Sequence, residues 1–128
     1  MKKLIVLLLM LTIGLTSCKK PTPTYISTNE ILSFEGQYYV YFHSKNCPAC
    51  VSTTEKLTHL IGDKKIDCYF FDTDKSFINS TSDTNYSNVG VHLVKGIKIR
   101  AIPTLLFVDN GVIKKQYVGS AEILNAFK

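Results

Sequence analysis

Tyr38-Tyr39-Val40-Tyr41-Phe42-His43-Ser44-Lys45-Asn46-Cys47-Pro48-Ala49-Cys50 is the stretch that decides how this chain folds. Its opening residues are aromatic or β-branched, as a buried strand of a central sheet requires. Beyond it, Val51, Leu57, Leu60 and Ile61 recur at helical spacing, and Gly62 is expected to stop the helix. The two cysteines therefore fall at a strand-to-helix corner. A sulfur placed there meets the free N–H groups and positive dipole end of the helix, which favour thiolate over thiol. Pro48 suits the first turn, where its missing N–H is not needed. Two cysteines separated by two residues also close into a disulfide without moving the scaffold. One then attacks a partner sulfur and the other resolves the mixed disulfide, so the pattern points to thiol–disulfide chemistry.

Working outward, Ile66-Asp67-Cys68-Tyr69-Phe70-Phe71 reads as a second inner strand, and strand–helix–strand order favours a parallel pair with a right-handed crossover. From Asp72 to Asn88 the composition shifts to Ser, Thr, Asn and Asp, with short helices expected at Lys75 to Asn79 and from about Ser87. Such an insertion is either a functional loop or a tolerated one. Ile102-Pro103-Thr104 introduces the β-rich Leu105-Leu106-Phe107-Val108, and Asn110-Gly111 marks a hairpin before Val112 to Val118. Gly119 ends that strand, with Ser120 expected to cap a final helix, Ala121 to Phe127. Upstream, Thr28 or Asn29 is expected to cap a short helix running to Phe34 and closed by Gly36. These elements describe an α/β domain.

The N-terminus carries a different signal. Lys2 and Lys3 precede an apolar run from Leu4 to Met10 that continues to Leu15, short for a stable bilayer span and typical of a secretory signal peptide. Leu15-Thr16-Ser17-Cys18 resembles the lipobox of bacterial lipoproteins, which implies lipidation of Cys18. An uncleaved signal anchor would change the anchor but not the compartment. The expected organisation is a signal peptide over 1–17, a lipidated N-terminus and polar tether over 18–27, and one domain over 28–128 on the outer side of a bacterial membrane. The net charge of +5 falls to about +3 without Lys2 and Lys3. No basic stripe with interleaved aromatics argues for nucleic acid.

The strand, the Cys47-Pro48-Ala49-Cys50 helix start, the second strand, Ile102-Pro103-Thr104 before a hairpin, and Val118-Gly119 together resemble the thioredoxin family over about Thr28 to Lys128. The resemblance implies a thioredoxin-like fold, with a central mixed β-sheet flanked by helices. It further implies a cis Ile102–Pro103 bond against the cysteine pair, which presents backbone groups of Ile102 to an extended substrate. Cys47 would be the exposed nucleophile, Cys50 the more buried resolving thiol, and Gly119 part of the rim. A narrower, weaker likeness, carried by Phe70-Phe71-Asp72-Thr73-Asp74 and the compact size, is to thioredoxin-like bacteriocin accessory proteins.

Departures accompany the matches. Family members typically carry Trp immediately before the first cysteine and a buried acid six positions before it, where this chain has Asn46 and Tyr41. The family lysine near that acid is replaced by Cys68, which would lie beneath the active pair. As the odd cysteine, Cys68 reads as a small buried hydrophobe in preference to a redox partner.

The favoured expectation is a membrane-tethered thiol–disulfide oxidoreductase acting on cysteine-containing envelope or secreted proteins. A membrane electron donor would supply a reductase or isomerase direction, and no dissociable cofactor is required. The alternative is a non-catalytic binding or accessory module with a structural disulfide. A zinc site would have only Cys68 or His43 to add to the pair, so no metal is expected. His43 reads first as an ordinary strand-end residue, and second as a neighbour able to influence the thiolate.

Overall fold

The computed structural model describes residues 22–128, so the expected signal peptide, Cys18 and the first residues of the expected tether, to Pro21, lie outside the described residues. Its centre is a five-stranded sheet in the order β1-β3-β2-β6-β7. The strands are β1 (Thr24–Tyr25), β2 (Gln37–His43), β3 (Cys68–Asp72), β6 (Thr104–Asp109) and β7 (Val112–Val118). A separate parallel pair joins β4 (Asn79–Ser80) to β5 (Lys98–Ile99). β2 runs parallel to β3, as the strand–helix–strand order requires, and antiparallel to β6. The first paired residue, Thr24, precedes the expected domain start at Thr28 because β1 adds an edge strand to β3.

Side-chain alternation divides the core. Tyr39 and Tyr41 of β2 face a cluster with Leu57, Phe70, Leu105, Ile123 and Phe127. Tyr38, Val40 and Phe42 face the other way, against Phe71, Leu106, Val108 and Ile113. The first face is covered by α1 (Pro48–Lys64) and α2 (Ser120–Asn125). The second is covered by loops and the short β5, through Ile26, Ile31, Ile97 and Ile99.

Several local expectations change. Helix α1 passes Gly62 and ends with Lys65 in the left-handed conformation at φ 52°. A helical glycine costs only about 1 kcal/mol, and here Ile61 before it and Ile66 after it pack on the core while the Lys64 Nζ donates to the Phe127 carbonyl at 2.6 Å. The expected helix from Thr28 shrinks to a 3-10 turn, Thr28–Glu30, capped at Ser27, whose N–H and hydroxyl both donate to the Glu30 carboxylate. No helix forms at Lys75 to Asn79 or near Ser87; the segment makes turns, β4 and a 3-10 turn at Val94–Gly96. Short polar side chains there bond to nearby main chain: Asp72 accepts from the Asp74 N–H, Thr81 from the Asp83 N–H and Asp83 from the Asn85 N–H. Such bonds compete with helix formation.

The expected hairpin is present. Asn110 and Gly111 both have positive φ, 47° and 77°, as the tight turn between two twisted strands demands. Gly119, and not Ser120, occupies the N-cap of α2, at φ 90° and ψ 159°, a region open essentially to glycine.

Candidate redox site

The sulfur pair is delivered by the chain leaving β2. The Ser44 carbonyl accepts from the Cys47 N–H at 3.3 Å, and the Ser44 hydroxyl accepts from the Asn46 N–H while donating to Asp74. The His43 carbonyl accepts both the N–H and the hydroxyl of Thr73. These bonds tie the end of β2 to the loop after β3, so the corner cannot swing away from the sheet.

Cys47 is the N-cap of α1 and Pro48 is its first residue. Cys47 and Cys50 are joined as a disulfide, with their α-carbons 5.1 Å apart. The Cys50 N–H points at Cys47 Sγ from 3.1 Å, which places that sulfur at the positive end of the helix. Cys50 is fully buried, whereas Cys47 is half-buried and flanked by exposed Asn46 and Pro48. The first turn of α1 contains no acidic residue to oppose a thiolate.

The Ile102–Pro103 bond is cis, and the Ile102 carbonyl oxygen lies 3.8 Å from Cys47 Sγ. Pro103 itself is buried, and its carbonyl accepts from the Gly119 N–H at 2.9 Å. The Thr53 hydroxyl of α1 donates to Ser120 at 2.6 Å. The loop before β6 and the start of α2 are thus joined around the cysteine corner. Cys47, Cys50, Ile102, Pro103 and Gly119 come together as one site.

Tyr41 occupies the position of the family acid. Fully buried, it places its hydroxyl 3.3 Å from the Cys50 carbonyl and 3.1 Å from the Thr54 hydroxyl. Burial pushes its phenol up to about 12, with the Thr54 hydrogen bond acting the other way. It stays protonated at neutral pH and cannot accept the Cys50 proton. His43 stacks on Tyr41, ring centroids 5.2 Å apart, and is itself buried. Burial holds the imidazole below its usual pKa, with Asp72 and Asp74 pulling upward. Its Nε2 has no hydrogen-bond partner among the described residues. That pairing of an aromatic stack with an orphaned ring nitrogen was not readable from a histidine at a strand end.

Cys68 is half-buried and free, and lies behind Tyr41 in the same cluster, at the far end of β3 from Asp72. It registers against Tyr39 and adds to the upward push on the Tyr41 phenol, whose hydroxyl reaches the Cys50 carbonyl. Burial of its thiol pushes the pKa up, the opposite of an activated cysteine. Among the described residues, no group of three or more His, Cys, Asp or Glu is arranged to hold a metal ion, and no helix is long and apolar enough to cross a membrane.

A five-stranded mixed sheet, a disulfide at the start of the helix after β2 and a cis proline before β6 define the thioredoxin fold. Solved structures agree. The chain is similar to Trichomonas vaginalis thioredoxin, with a TM-score of 0.55 and 21% identity over 84% of this chain and 95% of that one. It is similar to a mutant thioredoxin from Halobacterium salinarum NRC-1, with a TM-score of 0.55 and 14% identity over 87% and 92%. A third likeness is to a chain from a structural study of thiol resolution in yeast mitochondrial 1-Cys peroxiredoxin via glutathione and thioredoxin systems. That match has a TM-score of 0.58 and 16% identity over 84% and 95%. No protein-family model and no curated protein matches the sequence. These likenesses show the fold, and within it the Cys47–Cys50 disulfide sits at the start of the helix after β2.

Proposed function

We propose that this protein is a lipid-anchored, extracytoplasmic thiol–disulfide oxidoreductase that exchanges disulfides with cysteine-containing envelope or secreted proteins through Cys47 and Cys50. The observation that carries the reading is the asymmetry of the pair: Cys47 is partly open and 3.8 Å from the Ile102 carbonyl, and Cys50 is sealed behind it. In the reducing direction, Cys47 thiolate attacks one sulfur of a substrate disulfide, forming a mixed disulfide and releasing the other sulfur as thiolate. Cys50, as thiolate, then attacks Cys47 Sγ. The substrate leaves as its second thiolate, and two electrons have passed from the cysteine pair to the substrate. The helix N-terminus stabilises Cys47 both as attacking thiolate and as leaving group.

An extended substrate would lie along Ile102, using backbone groups for register, with Gly119 leaving the rim uncovered. Pro48 and Ala49 put no cation beside Cys47, which favours reductase or isomerase work over oxidation. Repeated turnover in that direction requires a membrane electron donor. The lipid on Cys18 keeps the domain at the membrane surface.

Expression of the full chain carrying Cys50→Ser in a bacterial host tests the reading. Mixed disulfides with envelope proteins should accumulate on Cys47, and Cys47→Ser should trap none. Trapping nothing from the envelope would instead support an accessory module with a structural disulfide. In the same cells, Cys18→Ser should move the protein from the membrane to the soluble fraction, and retention at the membrane would refute the lipid anchor.

A further inference from the structure

We propose that the groove between Phe77 and the Arg100–Ile102 segment is the subsite for an apolar side chain flanking the substrate's reactive cysteine. This inference rests on the oxidoreductase reading and gives it a specificity determinant. One wall of the groove is the chain leading into Pro103, including Arg100, Ala101 and Ile102, and the other is the polar insertion, including Ser76, Phe77 and Ile78. Ile102 belongs to both places, since its carbonyl lies beside Cys47 Sγ while the residue lines the groove. A polypeptide positioned for attack by Cys47 therefore continues directly over this surface.

Phe77 is 77% exposed, the most exposed large hydrophobic residue among those described. It is nonetheless held in place, because its carbonyl accepts from the Thr28 hydroxyl at 2.6 Å. The opposite wall is fixed as well: Arg100 Nη1 donates to the Thr84 carbonyl at 2.6 Å, drawing the insertion toward the loop before Pro103. A single exposed aromatic is unremarkable on most surfaces. One on the rim of a groove that shares Ile102 with the redox site marks an interaction site. The groove holds about 310 Å³, room enough for a large apolar side chain and the backbone beside it. Extended chains alternate their side chains, so a residue near the substrate cysteine turns toward Phe77 when the backbone follows Ile102.

The test uses the reduced full chain and three oxidants: a small hydrophilic disulfide, and two peptide disulfides that differ only in Leu or Ser beside the cysteine. The wild type should reduce the Leu peptide about tenfold faster than the Ser peptide, the scale of one well-placed apolar contact. Phe77→Ser should remove that preference, Phe77→Leu should keep most of it, and all three proteins should reduce the small disulfide at one rate. An unchanged Leu-to-Ser ratio in Phe77→Ser, or an equal fall with all three oxidants, would overturn the subsite. Failure of the wild type to reduce even the small disulfide would instead remove the oxidoreductase reading itself, and the subsite with it.

Discussion

The Cys47–Cys50 corner is positioned by a strand and a helix whose geometry follows from periodic burial, whereas residues 73–101 are held largely by polar side chains reaching main-chain groups. At the corner, β2 alternates its side chains between two cores and α1 begins at a proline, so the sulfurs are placed by regular structure. In the insertion, Asn88 does work that a strand would do elsewhere. It is 2% exposed, donates from Nδ2 to the Lys98 carbonyl and the Gln116 side chain, and accepts from the Lys98 N–H. Chemistry is carried by the regular part, and the surface beside it is shaped by the irregular part.

That contrast is broken most severely by removing a sulfur. Cys47→Ser should lower disulfide-exchange rates by about 10³-fold or more, the scale seen when a nucleophile is lost. Cys68→Ser, behind Tyr41, should leave the rate within a factor of two or so. Stopped-flow reduction of a small disulfide compares them, and a large loss on replacing Cys68 would place that thiol in the chemistry.

Next in size is the insertion's own anchor. Asn88→Ala should destabilise the protein by about 2–3 kcal/mol, because it removes a buried side chain whose three hydrogen bonds hold Lys98 and Gln116 to the insertion. Thermal unfolding should show a midpoint about 10 °C lower. A neutral result would mean the insertion is held by its apolar contacts alone. Gly119→Ala should cost about 1–3 kcal/mol from backbone conformation alone, since an added methyl meets nothing within 4 Å. The same denaturation measurement checks it.

The smallest effect is electrostatic. The His43 pKa is lower in the folded protein than in the unfolded chain, so the unfolded state binds more protons. Its contribution to stability is complete above pH about 6.5 and is lost as pH falls through the folded value. His43→Phe should therefore flatten the acid side of the stability profile, by up to about 1.4 kcal/mol per pH unit. Denaturant midpoints between pH 4 and pH 8 for the two proteins measure it, and parallel profiles would contradict the assignment.

How much could be read beforehand follows the same division. Val40, Phe42 and the Asn110-Gly111 turn declare their roles through burial pattern and turn chemistry, and the cis Ile102–Pro103 bond was implied by resemblance. The end of α1 is not legible because tertiary contacts beyond Gly62, those of Lys64 and Ile66, outweigh the local cost of that glycine. In the insertion, composition alone could not tell Asn88, which is buried, from Asn85, which is exposed, since both are short amides in a polar stretch. Nor does any periodicity reveal that Phe77 is exposed on the groove that Ile102 lines, because its main chain is held by a contact between distant parts of the chain, Thr28 and Phe77.

The most direct test equilibrates the protein in graded thiol–disulfide buffers and counts alkylated cysteines by mass. The account predicts a single reversible two-electron transition that involves Cys47 and Cys50 together in the native protein, and that disappears in either serine variant. A pair that remains oxidised until the protein unfolds would contradict it.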